Sequence, residues 1–146
     1  MNPGLSYREA AAAGASPVRL VILLYEQVIE DLRRALNAQR QKDVEGRTRE
    51  INHAILVLGH LQASLDKDRG GKVAANLERF YNQVQAGLVE AQFKQSESSL
   101  EQQISGLMQV HDAWCEVERS LSPNPAQPQA PEPNRTSLGP SSGWSA

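Results

Sequence analysis

Between Pro17 and Leu121 apolar residues recur every three or four positions, in four successive stretches separated by polar or glycine-rich breaks. In the first, Val18, Val21, Tyr25, Val28, Leu32 and Leu36 share one side of a helix. Ser16 supplies a cap and Pro17 a pre-set first helical residue, which predicts a helix from Pro17 to about Arg40. The second stretch starts near Asp43, a second capping residue, and aligns Ile51, Ala54, Ile55, Leu58, Leu61 and Leu65. The run Asp66-Lys-Asp-Arg-Gly-Gly71 is read as its end, since paired glycines suit helix C-caps and turns. The third uses Val73, Leu77, Phe80, Tyr81, Val84, Leu88 and Ala91; the fourth opens near Ser96 and uses Leu100, Ile104, Leu107, His111, Trp114 and Leu121. Helices of similar length, about 35 Å at 1.5 Å per residue, with short connections favour antiparallel neighbours. The expected fold is therefore all-α, an antiparallel up-down four-helix bundle over residues 16–121.

The first helix carries more apolar residues than one stripe needs. Leu20, Leu23 and Leu24 lie roughly 90–160° from the centre of its main arc. Leu56 on the second helix, and Val89 and Phe93 on the third, likewise lie off their stripes. Two readings stand side by side. Either the bundle has a thick core, or these residues line a second, exposed groove suited to a partner's amphipathic helix.

The two ends of the chain differ from the bundle. Residues 1–15 form an N-terminal arm with high helix propensity and only Leu5 and Tyr7 as sizeable apolar groups, so its attachment is expected to depend on Tyr7. Residues 122–146 hold six of the eight prolines and only Glu132 and Arg135 as charges, which predicts a disordered tail. Trp144 within it reads as a solvent-exposed residue rather than a docking anchor.

Composition removes several function classes. The net charge of −2 is too balanced to indicate nucleic acid or an anionic membrane surface as a partner. No apolar run approaches the ~20 residues that span a bilayer, so no membrane insertion is expected. Cys115 is the single cysteine, which excludes an internal disulfide and fits a reducing compartment. The start MNPGLSYREAAAA lacks the basic region of a secretory signal, and a cytoplasmic location is the expectation.

A four-helix bundle raises the question of a di-iron centre, which needs Glu-x-x-His from two helices. Glu50-Ile-Asn-His53 is one such motif, but Val57 precedes His60 and Met108 precedes His111 at the corresponding positions. Helical geometry also places His53 and His60 on the far side of the second helix, so both are read as solvated and no metal ligand is assigned. Gly70-Gly71-Lys72 resembles the end of a phosphate loop, yet Asp66 and Val73 stand where that motif wants glycine and a hydroxyl. His111 is read as a hydrogen-bonded boundary residue beside Trp114, and Cys115 as an inert buried thiol. No catalytic constellation and no cofactor are assigned, and the chain is not read as an enzyme.

Four motifs, in order, resemble the flagellar secretion chaperone FliS family over about residues 2–119. Asn2-Pro3-x-x-x-Tyr7, followed by Ala15-Ser16-Pro17, is similar to the family's N-terminal signature. Leu24-Tyr25 with Val28-Ile29 is similar to its Leu-Tyr-Asp-Gly-Ala-Ile stretch. Leu65-Asp66-x-Asp68-x-Gly70-Gly71-x-Val73-Ala74-x-Asn76-Leu77-x-x-Phe80-Tyr81 resembles its most recognisable block, and Ala113-Trp114 follows near the end of the last helix. Gly4, Glu26-Gln27 and Gln92 depart from the pattern, and the proline-rich tail lies outside it.

The resemblance implies a cytoplasmic chaperone that binds the C-terminal segment of flagellin, prevents premature polymerisation and presents it to a protein of the flagellar type III export gate. Other flagellar proteins could compete for the same surface. It also implies that the N-terminal arm, through Tyr7, covers an apolar groove when flagellin is absent. Joined to helical geometry, this makes Tyr7, Leu20, Leu23, Leu24 and Leu56 the candidate cap and groove residues. A helical-bundle adaptor or self-associating protein with another client is the alternative, and a metal-dependent bundle enzyme a distant third.

Overall fold

Ser16 opens the first helix as expected: its Oγ accepts the backbone N–H of Arg19 at 3.1 Å, and Pro17 begins the helical run. In the computed structural model of the chain, Gly14 and residues 16–121 are described. They form α1 (Pro17–Arg40), α2 (Val44–Ala63), α3 (Lys67–Lys94) and α4 (Glu97–Leu121), with no strand among the described residues. The N-terminal arm, including Tyr7, and the tail from residue 122, including Trp144, lie outside the described residues.

Short polar side chains start the other helices as well. Asp43 Oδ1 accepts from Gly46 N–H at 2.9 Å, Asp66 Oδ1 from Arg69 N–H at 3.1 Å, and Ser96 Oγ from Ser99 N–H at 3.1 Å. The turns use left-handed residues: Lys42 at φ 62° between α1 and α2, and Gln95 at φ 54° between α3 and α4.

One boundary differs from the sequence expectation. α2 ends at Ala63, and the paired glycines fall inside the span of α3, one turn beyond Asp66. The aspartate is the stronger signal, since its side chain caps a new helical turn before the glycines are reached. Gly71, at φ 52° and ψ −126°, then kinks the helix instead of ending the previous one.

Side-chain pairings give the topology. Asp31 meets His53 and Arg34 meets Glu50, so α1 and α2 are antiparallel. Gln62 with Asn82, and Thr48 with Gln92, make α2 and α3 antiparallel. Arg40 with Glu101, Arg33 with Met108 and Glu26 with His111 do the same for α1 and α4. Tyr25 with Tyr81 and Gln39 with Gln95 set α1 parallel to α3 across the bundle. The described residues therefore build the antiparallel four-helix bundle that the periodicity predicts.

Because α1 touches all three other helices, it buries far more than one stripe. Ile22, Leu24, Tyr25, Val28, Ile29, Leu32, Ala35 and Leu36 are all buried, and with the buried Gln27, Asp31 and Ala38 they cover roughly 220° of its circumference. Of its excess apolar residues, Leu24 is taken into the core.

Candidate functional site

At the end of the bundle that holds the α2–α3 connection, a cavity of about 350 Å³ opens to solvent. Val21 of α1, Leu61 of α2, the connecting Leu65, Val73, Leu77 and Tyr81 of α3, and Trp114 of α4 give it mainly apolar walls. Asp66, Arg69 and Gly70 add a polar rim. Its volume falls at the lower end of typical ligand pockets, ~300–1,000 Å³, and fits a few apolar side chains better than a large cofactor.

Hydroxyls hold the cavity floor. Tyr25 and Tyr81 share a hydrogen bond of 2.9 Å, and the Trp114 side chain adjoins Tyr25. Their rings lie 6.1 Å apart in a tilted arrangement. Burial raises the Tyr25 hydroxyl pKa against the lowering effect of Tyr81 and Trp114, and burial raises that of Tyr81 as well. Both phenols stay neutral, so the floor carries no charge and its polar atoms are paired internally.

The sequence-derived groove residues fall in different environments. Leu20 and Leu23 are half-buried, whereas Leu24 keeps 9% of its surface and belongs to the core cluster. Leu56 is 56% exposed. None of these four lines the cavity, to which α1 contributes Val21 instead. On α3 the off-stripe Val89 and Phe93 are exposed, Phe93 to 87%.

Two polar clusters were not visible in the sequence. Asp31, 1% exposed, accepts from Gln27 Nε2 at 2.7 Å and faces His53 Nδ1 at 2.5 Å. Burial raises its pKa, against the opposing contacts with His53 and Gln27. Glu50 and His53, the metal-like pair, are thus engaged with α1: Glu50 lies 3.9 Å from Arg34 and His53 on Asp31. His53 is exposed, as expected for a residue off the inner stripe, but is tied to a buried carboxylate. Among the described residues no group of three His, Cys, Asp or Glu side chains is placed to hold a metal.

At the other cluster His111 Nε2 meets Glu26 Oε2 at 2.9 Å, and Nδ1 meets Asp112 Oδ1 at 3.2 Å. Partial burial works against the imidazolium, but the two carboxylates outweigh it and raise the His111 pKa. Cys115 is half-buried, its Sγ 3.9 Å from His111 Nε2.

A family profile described as Flagellar protein FliS matches residues 1–121. The flagellar secretion chaperone FliSB of Pseudomonas aeruginosa is 35% identical over 106 residues, 73% of this chain and 84% of that protein. The flagellar secretion chaperone FliS of Salmonella typhimurium is 28% identical over 115 residues, covering 78% of this chain and 85% of that protein. The corresponding Campylobacter jejuni protein is 29% identical over 112 residues, covering 77% and 88%. The described residues define the class: an all-α helical bundle with an apolar cavity open at one end. The chain is a member of the flagellar protein FliS family.

Proposed function

We propose that this protein binds the C-terminal segment of flagellin in the cytoplasm, holds it from premature polymerisation and helps deliver it to the flagellar type III export apparatus. Family membership supports the client class. The observation that carries the reading is the open apolar cavity at one end of the bundle, about 350 Å³ in volume and walled by all four helices. A disordered segment that forms an amphipathic helix on binding gives up ~2–5 kcal/mol in ordering, which the apolar surface must offset. Leu20, Leu23 and Leu56 are proposed to extend the contact surface beyond the cavity.

Residues 1–15 are proposed as a cap that competes with the client through Tyr7. A cap worth ~1–2 kcal/mol lowers client affinity roughly 5–30-fold. Replacing Tyr7 with Ala is then expected to increase binding of an apolar dye and to change flagellin affinity. If both stay the same, the cap does not exist.

Calorimetric titration of the full chain with the flagellin C-terminal segment of the same genome, at two temperatures, tests the main reading. Saturable one-to-one binding with a negative heat-capacity change is expected. Absence of binding by both the full chain and a version lacking residues 1–15 would point to another client. The 87% exposure of Phe93 favours one second reading, self-association through α3. Light scattering separates the two, since a stable oligomer would be seen without any client.

A further inference from the structure

The kink at Gly71 divides α3 into a single turn and a long helix, and the turn forms part of the cavity wall. Helical backbone sits near φ −63° and ψ −42°, whereas Gly71 has φ 52° and ψ −126°. The turn before it is closed on itself. Gly70 N–H donates to the Asp66 carbonyl at 2.7 Å, Arg69 N–H to Asp66 Oδ1 at 3.1 Å, and the Arg69 guanidinium lies 3.6 Å from the Asp66 carboxylate. It can therefore move as a unit.

Little holds it down. Every residue from 66 to 72 is exposed, so the turn has no buried apolar anchor of its own. One ion pair crosses the kink, Lys67 Nζ to Glu78 Oε2 at 2.7 Å, between side chains 60% and 32% exposed. Exposed pairs of this kind are weak and sensitive to salt. The two glycines have separate uses. A Cβ on Gly70 would stand 2.7 Å from Ala74 Cβ, so only glycine lets the turn lie this close to the long helix. At Gly71 the positive φ is open to glycine without strain, so the kink depends on the missing side chain and not on space around it.

We propose that residues 66–70 form a hinged flap on the cavity, pivoting at Gly71 and latched by the Lys67–Glu78 ion pair. Opening breaks the exposed Lys67–Glu78 pair and widens the cavity lined by Leu61, Ala74 and Tyr81. The flap adjusts the mouth of the cavity to the side chain that enters, and its role in client binding rests on the function proposed above. The motion itself needs no client.

Acrylamide quenching of Trp114 reads the flap directly, because Trp114 shares the cavity with Asp66, Arg69 and Gly70. In the full chain carrying Trp144→Phe, Trp114 is the single remaining tryptophan. Glu78→Gln is expected to raise the quenching constant about twofold, the size of a weak surface pair. Lys67→Gln should match it, and the double variant should add nothing further. Molar sodium chloride should raise quenching in the parent but not in Glu78→Gln. Unchanged quenching in both single variants, at unchanged denaturation midpoint, would overturn the latch, as would a salt response that survives in Glu78→Gln. A protein whose quenching responds in this way but which ignores the flagellin segment would keep the flap and lose the proposed client.

Discussion

At the residue scale, the side chains that matter most are polar groups placed where the sequence pattern shows only apolar ones. Tyr25 is the clearest, since its buried hydroxyl donates to the buried hydroxyl of Tyr81. Tyr25→Phe keeps the ring but leaves the buried Tyr81 hydroxyl with that bond missing. A loss of about 1–3 kcal/mol is expected in urea denaturation. Asp31 gives a pH signature. Its folded pKa is raised, so its contribution to stability is fully present below the unfolded carboxylate value and is lost as pH rises through the folded one. Ionised Asp31 thus costs stability at neutral pH. Asp31→Asn should melt above the parent at pH 8, by about 2–5 °C, with the gap closing near pH 4. His111 is also raised, so its contribution is present below about pH 6.5 and is lost as pH rises through its folded value. Replacing His111 with Asn should remove that part of the decline in melting temperature between pH 6 and pH 8.

At the element scale, three of the four helix starts were legible, and the boundary between α2 and α3 was not. Ser16, Asp43 and Ser96 announce their helices because a cap depends on one short side chain and the two or three residues after it. The paired glycines mislead because the same residues suit a C-cap, a turn or a kink. The choice is made by Asp66, which nucleates a turn ahead of them. At Gly71 the backbone lies in a region open essentially only to glycine. Gly71→Ala should therefore cost about 1–3 kcal/mol in chemical denaturation even though its Cβ would have free space.

At the scale of the whole molecule, α1 explains where the excess apolar residues go. It packs against three neighbours, and so Leu24 joins the core while Leu20 and Leu23 are half-buried. Leu56, on a helix with fewer neighbours, remains exposed. The contrast can be measured. Leu32→Ala, at a fully buried position, should lose about 2–5 kcal/mol. Leu56→Ser should stay within about 0.5 kcal/mol of the parent, because removing exposed apolar surface leaves no cavity. If Leu56 contacts the client, the same variant should weaken flagellin binding without changing the melt.

The sequence by itself determined four helices, their antiparallel order and, through its motifs, the family. Those features depend on local caps, on a 3.6-residue period and on residue identity, all of which can be read along the chain. Helical period reports the angle of a side chain on its own helix and says nothing of how many helices surround it. Only the tertiary structure could therefore decide which of Leu20, Leu23, Leu24 and Leu56 keeps its surface exposed. The pairing of Asp31 with His53 and of Glu26 with His111 was decided there too, because residues 22 and 85 positions apart meet only once the helices have packed. The cavity belongs to the same level, since its walls come from all four helices at one end of the bundle and no single stretch of the chain encodes it.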